Sequence, residues 1–155
     1  MTLGNGWLDV VAVATVVGSG LVAGLFVAFS ISVMPALSRL PVPRAAVVMQ
    51  QVNRVILNPV FGLLFGGTAV LAVVVAATTG ITGTPVRLAG ALVLLVGACV
   101  VTAAVNVPLN NALDRTDPDG PEAVAAWERF AGRWTRWNHV RALASTVATV
   151  LLVVG

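Results

Sequence analysis

Four stretches of nearly unbroken apolar residues divide the chain, at about 8–34, 57–79, 86–107 and 137–154. The short segments between them hold most of the charges. A helix needs about 20 apolar residues to cross the hydrocarbon core of a bilayer, and these runs meet or approach that length. Their apolar character is continuous, whereas the strands of a membrane barrel alternate in shorter pieces. The pattern predicts an all-α fold, an integral membrane four-helix bundle forming a single four-span membrane domain over residues 1–155.

The punctuation between the runs predicts how they are joined. In the first run Gly20, Gly24 and Ala28 make a small-residue stripe that favours close helix approach, and Pro35 closes the run. Trp7 suits an interfacial anchor, and with Asp9 and no basic leader ahead of it the first span is expected to be retained. A helix is predicted from near Pro43 into the second run; if unbroken, it places Gln50, Arg54 and Asn58 on one stripe with Asn53 beside it. Pro59 offers a kink or a fresh start capped by Asn58, and Gly62 with Gly66 form a second close-packing pair. TTGITGTP at 78–85 reads as a turn, and DRTDPDGPE after the third run as a loop. From Glu122 to Arg136 an amphipathic helical extension leads into the fourth span, with Trp127, Phe130 and Trp134 on one face; Trp127, Trp134 and Trp137 suit an interfacial belt.

Composition narrows the class. With 58% hydrophobic residues, 10% charged and a mean hydropathy of +0.97, the chain is too apolar for a soluble domain. A net charge of +3 could suggest nucleic acid, but the nine basic residues are scattered arginines with no basic tail or stripe, so nucleic acid is set aside. Cys99 is the only cysteine, which excludes an internal disulfide. Eight arginines (Arg39, Arg44, Arg54, Arg115, Arg129, Arg133, Arg136 and Arg141) flank the loops after spans 1 and 3, against Arg87 alone opposite. The positive-inside rule then predicts a multi-pass protein of the cell membrane with loops 35–56 and 108–137 cytoplasmic and both termini outside.

That topology gathers the polar groups. Asn106 and Asn110, four apart in NVPLNNALD with Asp114 a turn further, sit where the third span ends, and Pro108 can kink or restart the helix between them. Asn53 and Asn58 begin the second span, and Asn138 and Arg141 begin the fourth on a stripe shared with Trp134 and Ser145. All fall at one membrane face, where they can line a single cavity; the competing reading is a plug of mutually bonded amides tying helix ends together. The lone His139 has no partner at metal-ligand spacing, no nucleotide or nucleophile motif is present, and no acid lies inside a span as ion-driven transport would favour. No metal and no cofactor are therefore expected. Amide donors and a guanidinium can hold an enolate or phenolate as an oxyanion hole does, with aromatic walls for a flat ring. His139 could serve as base, although it projects about 100° from Asn138 on a helix. Candidate catalytic residues are Asn110, Asn138, Arg141 and His139; candidate substrate-binding residues are Asn53, Asn58, Asn106, Trp134 and Trp137.

GLFVAFSISVMPAL in span 1, QVNRVILNP before span 2, NVPLNNAL after span 3 and WTRWNHVR entering span 4 together resemble the anthrone oxygenase-like membrane family, over nearly the whole chain. The resemblance carries over Asn53, Asn106, Asn110, Trp137, Asn138 and Arg141 as signature positions without assigning them catalytic roles. It implies a cofactor-free monooxygenase that oxidises an anthrone or phenol-like lipophilic aromatic with molecular oxygen: a base forms the enolate, amides and arginine stabilise it, and the anion itself reduces oxygen. Two alternatives stand beside it: a membrane protein that binds or carries a lipophilic aromatic or quinone without turnover, and a structural membrane partner. The expected partners are the lipid bilayer and a lipophilic aromatic small molecule, and a homo-oligomer is left open.

Overall fold

The computed structural model describes residues 6–82 and 84–155. In chain order its helices are α1 (Gly6–Leu37), α2 (Val42–Val55), α3 (59–82), α4 (Pro85–Asp114) and α5 (Ala123–Val154). All but α2 are long and apolar enough to cross a membrane, and no strand occurs among the described residues. The four long helices close a ring in the order α1, α3, α4, α5, each packed on its two neighbours. Their outward faces carry exposed Val and Leu, as expected of surfaces that meet lipid rather than water.

The breaks follow local chemistry. Asn58 separates α2 from α3: its Oδ1 accepts from the backbone N–H of Val60 and Phe61, both at 3.0 Å, and Pro59 takes the first helical position. The stripe that an unbroken helix would give to Gln50, Arg54 and Asn58 is therefore interrupted. The turn between α3 and α4 is tighter than expected, with helix through Thr82 and a restart at Pro85 capped by Thr84. Gly83, inside the expected turn, lies outside the described residues.

Of the expected small-residue positions Gly20 meets a neighbour, Thr149 of α5 at 3.8 Å, but the tightest approaches use other glycines. Nothing stands within 4 Å of where a Cβ would sit on Gly24, Gly62 or Gly66. A Cβ on Gly97 would collide with Ala144 of α5, one on Gly18 with Thr68 of α3, and one on Gly90 would press on Leu151 and Leu152. Spacing alone marks a smooth helix face; it does not say whether a neighbour or lipid covers that face.

Four stretches of the long helices widen to π-helical turns: Phe29–Val33, Gly62–Gly66, Leu95–Val100 and Thr102–Asn106. Two have an evident cause. Pro35 and Pro108 each clash with the carbonyl four residues earlier, on Ile31 and Ala104, and both carbonyls lie inside a wide turn that moves them aside. The helices thus continue past their prolines without breaking.

α2 closes one end of the ring. It buries Ala45, Ala46, Met49 and Gln50 in a core shared with Phe29, Met34, Leu37, Leu113, Trp127, Phe130 and Trp134. Gln50 fastens this contact, its Nε2 donating to the carbonyls of Leu113 at 2.8 Å and Thr116 at 2.9 Å. Trp127 and Trp134 are accordingly buried in the core (7% and 4% exposed) instead of forming an interfacial belt. The first turns of α5 pack back on the bundle and run straight into the span.

Candidate functional site

A cavity of about 370 Å³ opens beside α2, at the end of the bundle where α1 and α4 finish and α3 begins. One wall is the polar stripe of α4: Thr102, Asn106, Asn110 and Asp114, each four residues from the next. α5 supplies Trp134, Asn138 and Arg141, α1 supplies Phe26 and Phe29, and α2 supplies Asn53 and Arg54. Phe61 and Phe65 of α3 complete it, their rings stacked at 5.5 Å with only 8° between planes. Five aromatic rings therefore face a space whose polar lining is mostly amides.

The polar groups at the base form one connected set. Asn138 is fully buried and donates through Nδ2 to the Phe26 carbonyl and to Ser30 Oγ, both at 2.8 Å. Its Oδ1 accepts from Arg141 Nη2 at 2.7 Å, while Arg141 Nη1 donates to Thr102 Oγ1 at 3.1 Å. A carbonyl oxygen has two lone pairs, so that of Phe26 can accept this bond beside a helical one. Trp134 Nε1 donates to Asn110 Oδ1 at 2.7 Å, which leaves the Asn110 amide nitrogen as the end able to donate elsewhere. Asn106, buried to 1%, donates weakly to the Trp134 carbonyl at 3.4 Å.

Arg141 dominates the electrostatics. It is 5% exposed, with its guanidinium carbon 4.3 Å from the centroid of the Phe26 ring and 5.2 Å from that of Trp134. The one ion pair among the described residues joins Arg54 to Asp114 at 2.7 Å, so no carboxylate answers Arg141. A guanidinium stays protonated in proteins, and taking an unpaired charge out of water costs several kcal/mol. Two cation–π contacts and two hydrogen bonds offset part of that cost, but the charge is not neutralised. Three buried polar atoms of the lining also lack a partner: Arg141 Nε, Asn53 Nδ2 and Asn106 Oδ1. Arg141 and Asn53 thus each keep a buried N–H with unmet hydrogen-bonding capacity, beside aromatic faces.

The sequence profile of the anthrone oxygenase family matches residues 49–151. The chain belongs to that family. No curated protein and no solved structure matches it. The family match begins at Met49 and leaves out α1, although α1 contributes the Phe26 and Ser30 contacts that anchor Asn138.

Of the residues singled out from sequence, Asn53, Asn106, Asn110, Trp134, Asn138 and Arg141 line the one cavity. Asn58, Trp137 and His139 do not. Asn58 is exposed and caps α3, and Trp137 is half-buried off the cavity face. His139 is exposed on another side of α5, along a shallow groove with Ser30, Met34 and Arg136. Helical phase explains the separation, since adjacent residues of α5 point about 100° apart. No three His, Cys, Asp or Glu side chains gather as a metal site among the described residues. Thr102 and Asp114 were missed as site residues, though the four-residue stripe of Asn106 and Asn110 extends to both. Phe26 and Ser30 lie within the GLFVAFSISVMPAL motif, but no local rule singles them out, and they meet Asn138 across more than 100 positions.

Proposed function

We propose that the cavity binds a flat, ionisable aromatic ketone of the anthrone class as its enolate and oxidises it with molecular oxygen. The observation that carries this reading is the buried Arg141 guanidinium, which faces aromatic walls with no carboxylate to balance it. An enolate oxygen supplies the missing negative charge, and amide donors around it strengthen as that charge develops. The flat ring system packs on Phe61, Phe65 and Trp134.

The chemistry balances within the substrate and oxygen. A base takes one proton from the ring methylene to give the enolate. The electron-rich carbon then transfers electrons to O2 and forms a carbon–oxygen bond, and the resulting peroxide takes up a proton. Loss of the second methylene proton with cleavage of the O–O bond expels water and leaves a carbonyl. Each methylene and O2 thus become one C=O and one H2O. In this reading the protein lowers the cost of the enolate and positions it, and the anion does the reducing.

Access from the bilayer fits the same reading. α3 and α4 pack through Gly67–Thr82 and Pro85–Leu94. Toward the cavity their other halves form no comparable interface, and Leu57 and Val107 of the lining stand 78% and 41% exposed there. A lipophilic ring can enter between these apolar side chains. With loops 35–56 and 108–137 on the cytoplasmic side, the mouth lies near the inner leaflet; a membrane-impermeant maleimide on Pro118→Cys in a Cys99→Ser background, reactive only in inverted vesicles, checks that orientation.

The decisive assay follows anthrone with the purified protein in detergent, by oxygen electrode and quinone absorbance. Consumption above the protein-free rate is expected, and Arg141→Ala should reduce it by about 10²–10³-fold, the usual loss for a removed oxyanion donor. Binding without oxygen consumption by the wild-type protein would support a carrier instead.

A further inference from the structure

Oxidation through an enolate needs a base, and the cavity holds one carboxylate. Asp114 ends the polar stripe of α4, eight residues and hence about 12 Å along the helix from Asn106. Its Oδ1 takes both bonds from Arg54, to Nε at 2.9 Å and to Nη2 at 2.7 Å. Its other oxygen has no hydrogen bond among the described residues. The side chain is 43% exposed, so a proton taken there can pass to water. The remaining lining groups are amides, a hydroxyl, an indole and guanidinium groups, none of which is a base near neutral pH.

Resting on the function proposed above, we infer that Asp114 is the general base that removes the methylene proton of the bound aromatic ketone. The cavity then divides the labour between its two ends. Arg141 receives charge on the ketone oxygen at the base of the cavity, while the free carboxylate oxygen of Asp114 meets the opposite edge of the ring at the mouth. The C–H bond breaks toward Asp114, its electron pair passes through the ring to the oxygen facing Arg141, and Asp114 returns the proton to solvent. A carboxylate can take such a proton when the oxyanion is stabilised strongly enough, as in ketosteroid isomerase. Arg54 orients the carboxylate and leaves one oxygen for the substrate, so it is a positioning residue.

Deuterium wash-in isolates this step from the chemistry of oxygen. Anthrone is incubated anaerobically with the full-length protein in D2O, and incorporation at its methylene is read by mass spectrometry above the protein-free rate. Asp114→Asn should lose at least about 100-fold of the protein-dependent rate, within the range expected for a general base. Anthraquinone, which has no proton to lose, should still quench tryptophan fluorescence in that variant, and Asp114→Glu should recover part of the rate. Arg54→Gln breaks the same ion pair but keeps the carboxylate, and should lose far less. Wild-type wash-in undiminished by Asp114→Asn, or an equal loss in Arg54→Gln, overturns the assignment alone. A wild-type protein that neither binds anthraquinone nor speeds wash-in overturns the proposed function with it.

Discussion

Replacing Asn138 by alanine tests whether charge organises the cluster. The carboxamide serves Phe26, Ser30 and Arg141 at 2.7–2.8 Å, and without it the guanidinium keeps only its hydrogen bond to Thr102 Oγ1. Two magnitudes compete. An interhelical hydrogen bond in a membrane protein is worth about 0.6 kcal/mol on average, because separated helices find other partners in the bilayer. A hydrogen bond to a charged group is worth about 1.5–3 kcal/mol. The second term is larger, and with the two neutral bonds at about 1–2 kcal/mol together, Asn138→Ala should lose about 3–5 kcal/mol. Exchanging Arg141 for methionine removes the charge at little net cost, since apolar replacements of buried ions are often about neutral. In that background the alanine strands only neutral groups, and its cost should fall to about 1–2 kcal/mol. The difference, about 1–4 kcal/mol, is the coupling between the two residues. Unfolding of the four proteins in mixed micelles, titrated with a denaturing detergent and followed by tryptophan fluorescence, gives it directly. Costs that add to within about 0.5 kcal/mol would refute the reasoning, because the site would then be a set of independent amide contacts.

Other outcomes follow from the same packing. Gly97→Val drives a side chain into Ala144 and should destabilise the bundle by about 1–3 kcal/mol in the same micelle titration. Gln50→Ala releases α2 from the Leu113 and Thr116 carbonyls, and should speed tryptic cleavage after Arg39 and Arg44 while the spans stay intact. His139→Ala should oxidise anthrone at the wild-type rate, since the imidazole lies on a different face of α5; a large loss would return the base to His139 and remove it from Asp114. Leu57→Trp, at the apolar lip, should slow turnover of anthrone presented in vesicles without changing the stability of the bundle.

The spans, the Asn58 cap and the gathering of polar residues at one end were legible because each rests on a local rule: apolar length, a side chain before Pro59, and helix ends sorted by arginine count. What sequence could not give was which neighbour covers a face. Trp127 and Trp134 have a spacing that suits a belt or a core equally well, and only the docking of α2 over them decides for the core. Gly62 and Gly66 look like a packing pair, yet the contact they suggest is made by Gly97 and Gly18. Asn138 and His139 are adjacent in the chain and separated in the molecule by helical phase alone.

The wall of α4 shows why a stripe in the sequence was only part of a site. On a regular α-helix each four-residue step overshoots a full turn by about 40°, so three steps from Thr102 would carry Asp114 about 120° away from the cavity. The wide turn at Thr102–Asn106 holds more residues per turn and therefore lags where the α-helix overshoots, which cancels one step of drift. Thr102, Asn106, Asn110 and Asp114 consequently line one cavity. Pro108 supplies the cause, because its ring displaces the carbonyl of Ala104 inside that same turn. A residue that reads as a helix breaker is thus what keeps both ends of the stripe, the hydroxyl that holds Arg141 and the carboxylate at the mouth, on a single face.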